Sequence, residues 1–301
     1  PDVAGRGADL RRYSPQVGMA LGGAGANDDF ATGAPETVLF QDIPSVYGAS
    51  KYDQSVLDAP SSITIVTAEE IARYGYRHLA DVLASTRGFY MRYDRTYYYA
   101  GVRGFSRPGD YNTRLLLTID GRALNDNVYG STGLADDIPV DIDTIDRIEI
   151  IRGPSSSLYG TGAFFAVINI VTKRGRDIQG AEVAAEFETP NARKARVSVG
   201  GKLPDRGEAL LSYARMDRKG EQLYFPEYDD PSTNNGVTEG TDYQRNETAT
   251  AKLSWGNFAV HAGWTKRTKG IPTGAFSTDF NDSRNQVIDD RYYIDLRYEQ
   301  D

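Results

Sequence analysis

Beyond Gly175 the chain falls into a two-residue rhythm, and that rhythm limits its possible folds more than any other feature. Ala181, Val183, Ala185 and Phe187 alternate with Glu182, Ala184 and Glu186, and Ala195, Val197, Val199 and Gly201 with Lys194, Arg196, Ser198 and Lys202. Ala249, Ala251, Leu253 and Trp255 oppose Thr248, Thr250, Lys252 and Ser254. Phe258, Val260, Ala262 and Trp264 oppose Ala259, His261 and Thr265, and Tyr292, Ile294, Leu296 and Tyr298 oppose Tyr293, Asp295 and Arg297. Alternate side chains share one face of a strand. Each run therefore has an aliphatic face with aromatic ends and a second face of charged or small residues, the pattern of a strand with lipid outside and a polar lumen inside. The connections repeat the message. Residues 204–207 and 256–257 are tight turns, whereas 219–245 and 269–289 are long polar loops, so short and long connections fall on alternate ends; the short 189–192 connection, on the long-loop end, is the exception.

Composition narrows the alternatives. With 40% hydrophobic residues in 301, the chain has enough apolar material for a core. The net charge of −8 argues against a nucleic-acid partner. There is no cysteine, which removes disulfides, thiolate metal sites and cysteine nucleophiles together, and two histidines, His78 and His261, leave little for a His-rich metal site. No apolar run approaches the ~20 residues of a spanning helix, a test that strands of alternating polarity escape.

The first half reads differently. Residues 1–35 are Gly-, Ala-, Asp- and Arg-rich without a period, which predicts a disordered leader, although Arg11 and Arg12 ahead of a short apolar stretch ending GAGA faintly suggest the tail of a secretory signal. Glu36, Thr37, Val38, Leu39 and Phe40 form a β-prone island that fits two readings: a strand pinned to the next domain, or a strand added to a partner's sheet edge. SITIVT, ending at Thr67, is a strand, and Thr67 with Glu70 makes a capping box for the first of two short helices divided near Gly75. His78, at the start of the second helix, reads as a cap or surface residue. A strand begins at Phe89, and the run DRTYYY after Tyr93 is the densest aromatic patch of the chain, suited either to ligand contact or to covering a sheet rim. Arg114 to Ile119 is a buried strand, a polar loop carrying Tyr129 follows, and Asp136, Asp137, Asp141 and Asp143 lack the spacing of a calcium loop and read as turn and cap residues. Residues 145–172, IDRIEIIRGPSSSLYGTGAFFAVINIVT, join two strands through a Gly/Pro/Ser connector; in the first, Ile148 and Ile150 define an apolar face opposite Arg147 and Glu149, while the second is apolar throughout, as in a strand buried on both faces. The connector has neither the lysine of a phosphate loop nor the setting of a nucleophile elbow, and with no Ser/His/Asp set in view an enzyme is not expected.

APSSITIVTAEEI, GVRGF, LLLTIDG and above all IDRIEIIRGPSSSLYGTGAFFAVINIVTKRG, in this order, resemble the TonB-dependent outer-membrane receptors. The family's usual Gly-Ala-Ile-Gly-Gly-Val stands here as the bulkier run from Gly162 to Val167. The resemblance implies an α+β plug domain followed by antiparallel transmembrane strands of an incomplete 22-stranded β-barrel. It divides the chain into a leader (1–35), a TonB-box region and linker (36–44), the plug (45–176) and the first ~6 barrel strands (177–301).

The same resemblance assigns expected roles. Glu36, Thr37, Val38, Leu39 and Phe40 become a TonB box that adds as a strand to periplasmic TonB, which is driven by its inner-membrane energising complex. Arg103 and Arg152 match plug arginines that pair with barrel-wall glutamates in the family, and Glu149 is grouped with them as a plug–barrel contact. Arg95, Tyr97, Tyr98, Tyr99 and Tyr129 are the expected ligand contacts, with Tyr224 and Tyr228 of the long loops behind them. The expected function is energised uptake of an external small molecule across the lipid of the bacterial outer membrane, foremost a ferric siderophore or similar iron chelate. Cobalamin, a glycan or a non-transporting surface receptor are the alternatives. No resident cofactor or metal is expected.

Overall fold

The computed structural model describes residues 45–46, 54–55, 62–106, 109–153, 159–160, 162–188 and 191–298. The leader, the 36–40 island and most of the connector between the two strands of 145–172 lie outside the described residues.

The N-terminal unit carries a short pair, β1 (Ser45–Val46) and β2 (Gln54–Ser55), ahead of a mixed five-stranded sheet. β3 (Ser62–Thr67) leads directly into α1 (Ala68–Tyr74). The reciprocal capping box is present, with the Thr67 hydroxyl accepting from Glu70 N–H at 3.2 Å and the Glu70 carboxylate accepting from Thr67 N–H at 2.9 Å. Gly75, at φ 65°, ends the helix in the left-handed conformation that glycine adopts at no steric cost. α2 (Leu79–Ser85) buries Leu79, Ala80, Val82 and Leu83. The hairpin β4 (Phe89–Tyr93) and β5 (Tyr98–Val102) follows, then β6 (Leu115–Ile119), β7 (Arg122–Ala123), β8 (Ile145–Arg152) and β9 (Ala166–Thr172).

The sheet runs β3-β8-β9-β6-β7, with β9 antiparallel to β8 and parallel to β6. The 145–172 stretch is thus its centre. The main core contains Leu79, Val82, Leu83, Leu117, Ile148, Ile150 and Ile168, while Leu116, Ile151 and Val167 form a second cluster on the other side of the sheet. Both faces of β8 are covered, so Glu149 does not face solvent: its side chain is fully buried, accepting from Arg147 Nε at 3.0 Å and Asn169 Nδ2 at 3.1 Å. His78 takes the cap position of α2 but does not lie at the surface. It stands at the N-cap position without a side-chain cap bond and is buried against the Tyr98 ring, centroids 4.8 Å apart.

After a 3-10 turn at Gly175–Asp177 come β10 (Gly180–Glu188), β11 (Ala192–Lys202), β12 (Glu208–Arg218), β13 (Gln244–Trp255), β14 (Phe258–Gly270) and β15 (Gln286–Tyr298). They form one antiparallel sheet in sequence order. Its polarity is inverted relative to a soluble sheet: Leu296 is 72% exposed on the outer face, whereas Thr265, Ser198 and Thr248 are buried on the inner one. The outer face carries two aromatic rows, Tyr213, Trp264 and Tyr292 toward the long loops and Trp255, Phe258 and Tyr298 beside the short turns. Six residues separate Trp264 from Phe258 along β14, about 20 Å of strand, which matches an apolar band flanked by aromatic girdles. The polar tips of the first row point to charges, with Tyr213 OH on Glu247 at 2.7 Å and Trp264 Nε1 on Asp290 at 3.0 Å.

Candidate functional site

The inner face of the wall holds the plug by two polar contact zones. Near the short turns Asp120, which follows β6, is the hub. Lys252 Nζ lies 3.1 Å from its carboxylate, His261 Nδ1 lies at 3.6 Å, and Arg297 Nη2 donates to its carbonyl at 2.7 Å. The same carboxylate accepts from the N–H and hydroxyl of Thr172, and Lys252 also reaches that hydroxyl at 2.7 Å. Beside it, Arg122 donates to Ile294 O at 2.9 Å and lies over the Tyr293 ring, which joins the plug core. Toward the other end of the wall, on the row that runs through Lys194, Met216, Asn246 and Arg267, Lys194 lies within 2.9 Å of Asp141 and 2.6 Å of Asp143. Burial raises both carboxyls, but the Lys194 ammonium and its hydrogen bond overcome this at Asp143, whose pKa falls to about 2.

At Asp120, Asp141 and Asp143 plug carboxylates meet wall cations, whereas Arg176 at the end of the plug meets Glu208 of β12 at 3.0 Å. Arg152 turns inward to Arg87 O at 2.7 Å and Thr64 Oγ1 at 2.9 Å, Arg103 is exposed at φ 52° with its N–H on Gly88 O, and Glu149 is held by Arg147 and Asn169 inside the plug. Among the described residues neither Arg152 nor Arg103 has a hydrogen bond or ion pair to β10 to β15. Alternation did hold the missed signal: Arg267 and Lys269 share strand parity with the lumen-facing Thr265, and a cation there needs an acid opposite.

The second zone, toward the long loops, is the candidate ligand site. The β4–β5 hairpin apex is folded around Asp94, whose Oδ1 accepts from Thr96 N–H at 2.8 Å and Tyr97 N–H at 2.7 Å, while Oδ2 accepts from Tyr99 OH at 2.8 Å. Arg267 of β14 donates to Thr96 O, sits over the Tyr97 ring at 5.3 Å, and pairs with Asp289 at 2.8 Å; Tyr97 OH donates to the same Asp289 at 2.8 Å. The rings of Tyr97 and Tyr99 both meet Tyr111, a residue sequence reasoning did not select, at 6.5 and 5.8 Å. Tyr98 takes no part in this cluster. It stacks on Tyr93 at 4.4 Å and packs against the core, as the alternation of a hairpin strand requires. Tyr129 is 81% exposed on a separate turn, where Asp126 accepts from the N–H groups of Val128, Tyr129 and Ser131. Arg95 faces Glu221 at 3.5 Å and Asp242 at 3.9 Å. In the long loops Tyr224 donates to Asp229, and Tyr228 stacks on Phe280 at 4.1 Å, tying the loops together.

Chemically the cluster offers ring faces and hydroxyl donors. Burial, then the Asp289 carboxylate, pushes the Tyr97 phenol above its ordinary range; burial and the bond to Asp94 do the same at Tyr99, and burial raises Tyr98 to about 12. All three stay protonated at neutral pH. The Tyr97 and Tyr99 hydroxyls donate to Asp289 and Asp94, which leaves their ring faces as the surface of the cluster.

A plug carried in the lumen of lipid-facing antiparallel strands defines the class of plug-and-barrel outer-membrane receptors. The family model of the TonB-dependent receptor plug domain matches residues 55–167, and that stretch of the chain is a plug domain of this family. It is 27% identical over 296 residues to an iron-regulated outer membrane virulence protein of Vibrio cholerae, covering 92% of this chain and 44% of the relative. To a vitamin B12 transporter of Vibrio vulnificus it is 26% identical over 186 residues, covering 60% of this chain and 29% of the relative. The pyoverdine outer membrane receptor of Pseudomonas aeruginosa shares the fold, with a TM-score of 0.58 and 20% identity over 74% of this chain and 30% of that one. The chain thus spans less than half the length of these relatives.

Proposed function

We propose that the chain is the plug and first wall strands of an outer-membrane receptor for energised uptake of a scarce external ligand, foremost a ferric siderophore or similar iron chelate. The observation that carries this reading is the tyrosine cluster of the hairpin apex, fixed by Arg267 and Asp289 at the long-loop end of a wall whose outer face is apolar. Six strands with free edges do not close around a plug, so the working receptor needs a longer wall. The relative named as iron-regulated favours iron; the one named as a vitamin B12 transporter keeps cobalamin as the second candidate.

In this reading the ligand binds the plug apex and lumen wall, and TonB, engaged by the segment Glu36, Thr37, Val38, Leu39 and Phe40, draws on the plug to open a path. The separation of the two contact zones supports such a division: the apex zone senses the outer side, and the Asp120 zone holds the plug near the short turns. Deleting residues 36–40 from the full-length receptor should abolish uptake by whole cells while surface binding of the ligand persists; continued uptake refutes the TonB-box role. Growth on iron chelates against growth on cobalamin, in cells relying on this receptor, decides between the two ligands.

A further inference from the structure

The apex of the β4–β5 hairpin presents a cation in a backbone state that arginine rarely adopts. Arg95 has φ 73°, a left-handed conformation that costs a non-glycine residue energy and persists only where its surroundings impose it. They do so here: Asp94 ties down the N–H groups of Thr96 and Tyr97, Asp94 N–H donates to Tyr97 O at 3.2 Å, and the Tyr93 hydroxyl donates to Arg95 O at 3.1 Å. The guanidinium is thereby delivered to the base of the 219–243 loop.

Two acids meet it there, and they differ. Asp242 is almost enclosed and already engaged, accepting from Lys269 Nζ at 2.6 Å and from Glu221 N–H at 3.2 Å. Gly220 packs on the Asp242 backbone so closely that a Cβ would lie 2.2 Å from its carbonyl oxygen. Asp242 therefore belongs to the framework of the loop. The Glu221 carboxylate is 57% exposed and lies 3.5 Å from Arg95. It can leave without disturbing the framework.

We propose that Glu221 is an internal competitor for Arg95: an acidic group of an anionic ligand exchanges with the Glu221 carboxylate, and the exchange loosens the base of the 219–243 loop, which keeps only the longer Arg95–Asp242 contact to the hairpin apex. This rests on the reading that the hairpin apex meets the ligand. Because Tyr228 of this loop stacks on Phe280 of the 271–285 connection, both long loops respond to the release together. The same arrangement sets charge selectivity. With Glu221 and Asp242 both beside Arg95, a cationic ligand has acids to meet, and only an anionic one gains from displacing Glu221.

The test uses the full-length receptor carrying Glu221→Gln, Arg95→Gln or both, with ferric citrate as the anionic probe and ferrioxamine B as the cationic one. Glu221→Gln should bind ferric citrate about two- to fivefold more tightly, the range set by a partly exposed ion pair, without tightening on ferrioxamine B. Arg95→Gln should weaken ferric citrate, and the double variant should match Arg95→Gln, since nothing is left to compete for. Hydrogen exchange of residues 219–224, read without any ligand, should quicken in both single variants by a similar factor. Weakened ferric citrate binding in Arg95→Gln with wild-type affinity in Glu221→Gln overturns the competitor and leaves the site. Unaltered binding in Arg95→Gln overturns the site reading itself. If ferric citrate does not bind at all, the exchange arm decides, and unaltered exchange in both variants overturns the tie.

Discussion

At the scale of single residues, the plug is organised by a few polar groups that cannot be left alone. Glu149 is fully buried, and Arg147 is its charged neighbour. Arg147→Ala takes the cationic donor from a buried carboxylate that keeps Asn169, so it should cost about 2 kcal/mol in equilibrium unfolding, and Arg147→Ala combined with Glu149→Leu should cost less than the single change. At the start of α1, Thr67→Ala removes the acceptor for Glu70 N–H and should cost about 1 kcal/mol by the same measurement. The turn bearing Tyr129 has its own pH signature. Burial raises the Asp126 carboxyl, but donation from the Ser131 hydroxyl and from three backbone N–H groups together outweighs it and brings the pKa down to about 2. A carboxyl with a depressed folded pKa stabilises above its unfolded value, near 4, and loses that contribution as pH falls toward 2. Amide protection at Val128 and Tyr129 should therefore be flat from pH 7 to about 4 and decline below it, with Asp126→Asn abolishing the dependence.

At the scale of elements, alternation and capping signals were readable because they are local. The capping box of α1, the Gly75 stop and the lumen-facing parity of β10 to β15 all follow from spacing along the chain. What crosses between elements was not readable: Tyr111 joins Tyr97 and Tyr99 only because β4–β5 folds beside the 109–114 loop, and Asp120 meets Lys252 only because β6 docks on β13. The inward turn of Tyr98 was legible in principle, since it alternates with Tyr97 and Tyr99 on a hairpin strand. The junction of plug and wall is as specific as either part. Gly175 lies so close to β12 that a Cβ would sit 2.3 Å from Ala209 O. Backbone cannot yield there as a flexible side chain would, so Gly175→Val should displace the 3-10 turn and lower the melting temperature of the receptor more than Gly201→Val, where the added carbons enter open space.

At the scale of the whole molecule, the plug is attached to its wall largely by polar contacts, with Tyr293 of β15 added to the plug core, and polar contacts exchange with water as they break. These 301 residues contain no cysteine, so an introduced pair is unique among them. Bridging Asp120→Cys to Lys252→Cys with a short bifunctional reagent should stop uptake while leaving ligand binding at the apex intact, and reduction of a cleavable linker should restore it. Uptake through the bridged receptor would show that the plug moves without leaving this zone. The order of strands in the plug sheet has a mechanical corollary. β3 is the sheet's rim strand, bonded to β8 alone, and it is the first strand of that sheet after the N-terminal segment. Tension entering from that side is met by the one strand that can peel away while β8, β9 and β6 keep their mutual bonds. In single-molecule pulling, the first yield event should release the length of β3 and its leader, with the rest of the stopper still seated, so the force needed to start the opening is set by six residue pairs and not by the strength of the whole plug.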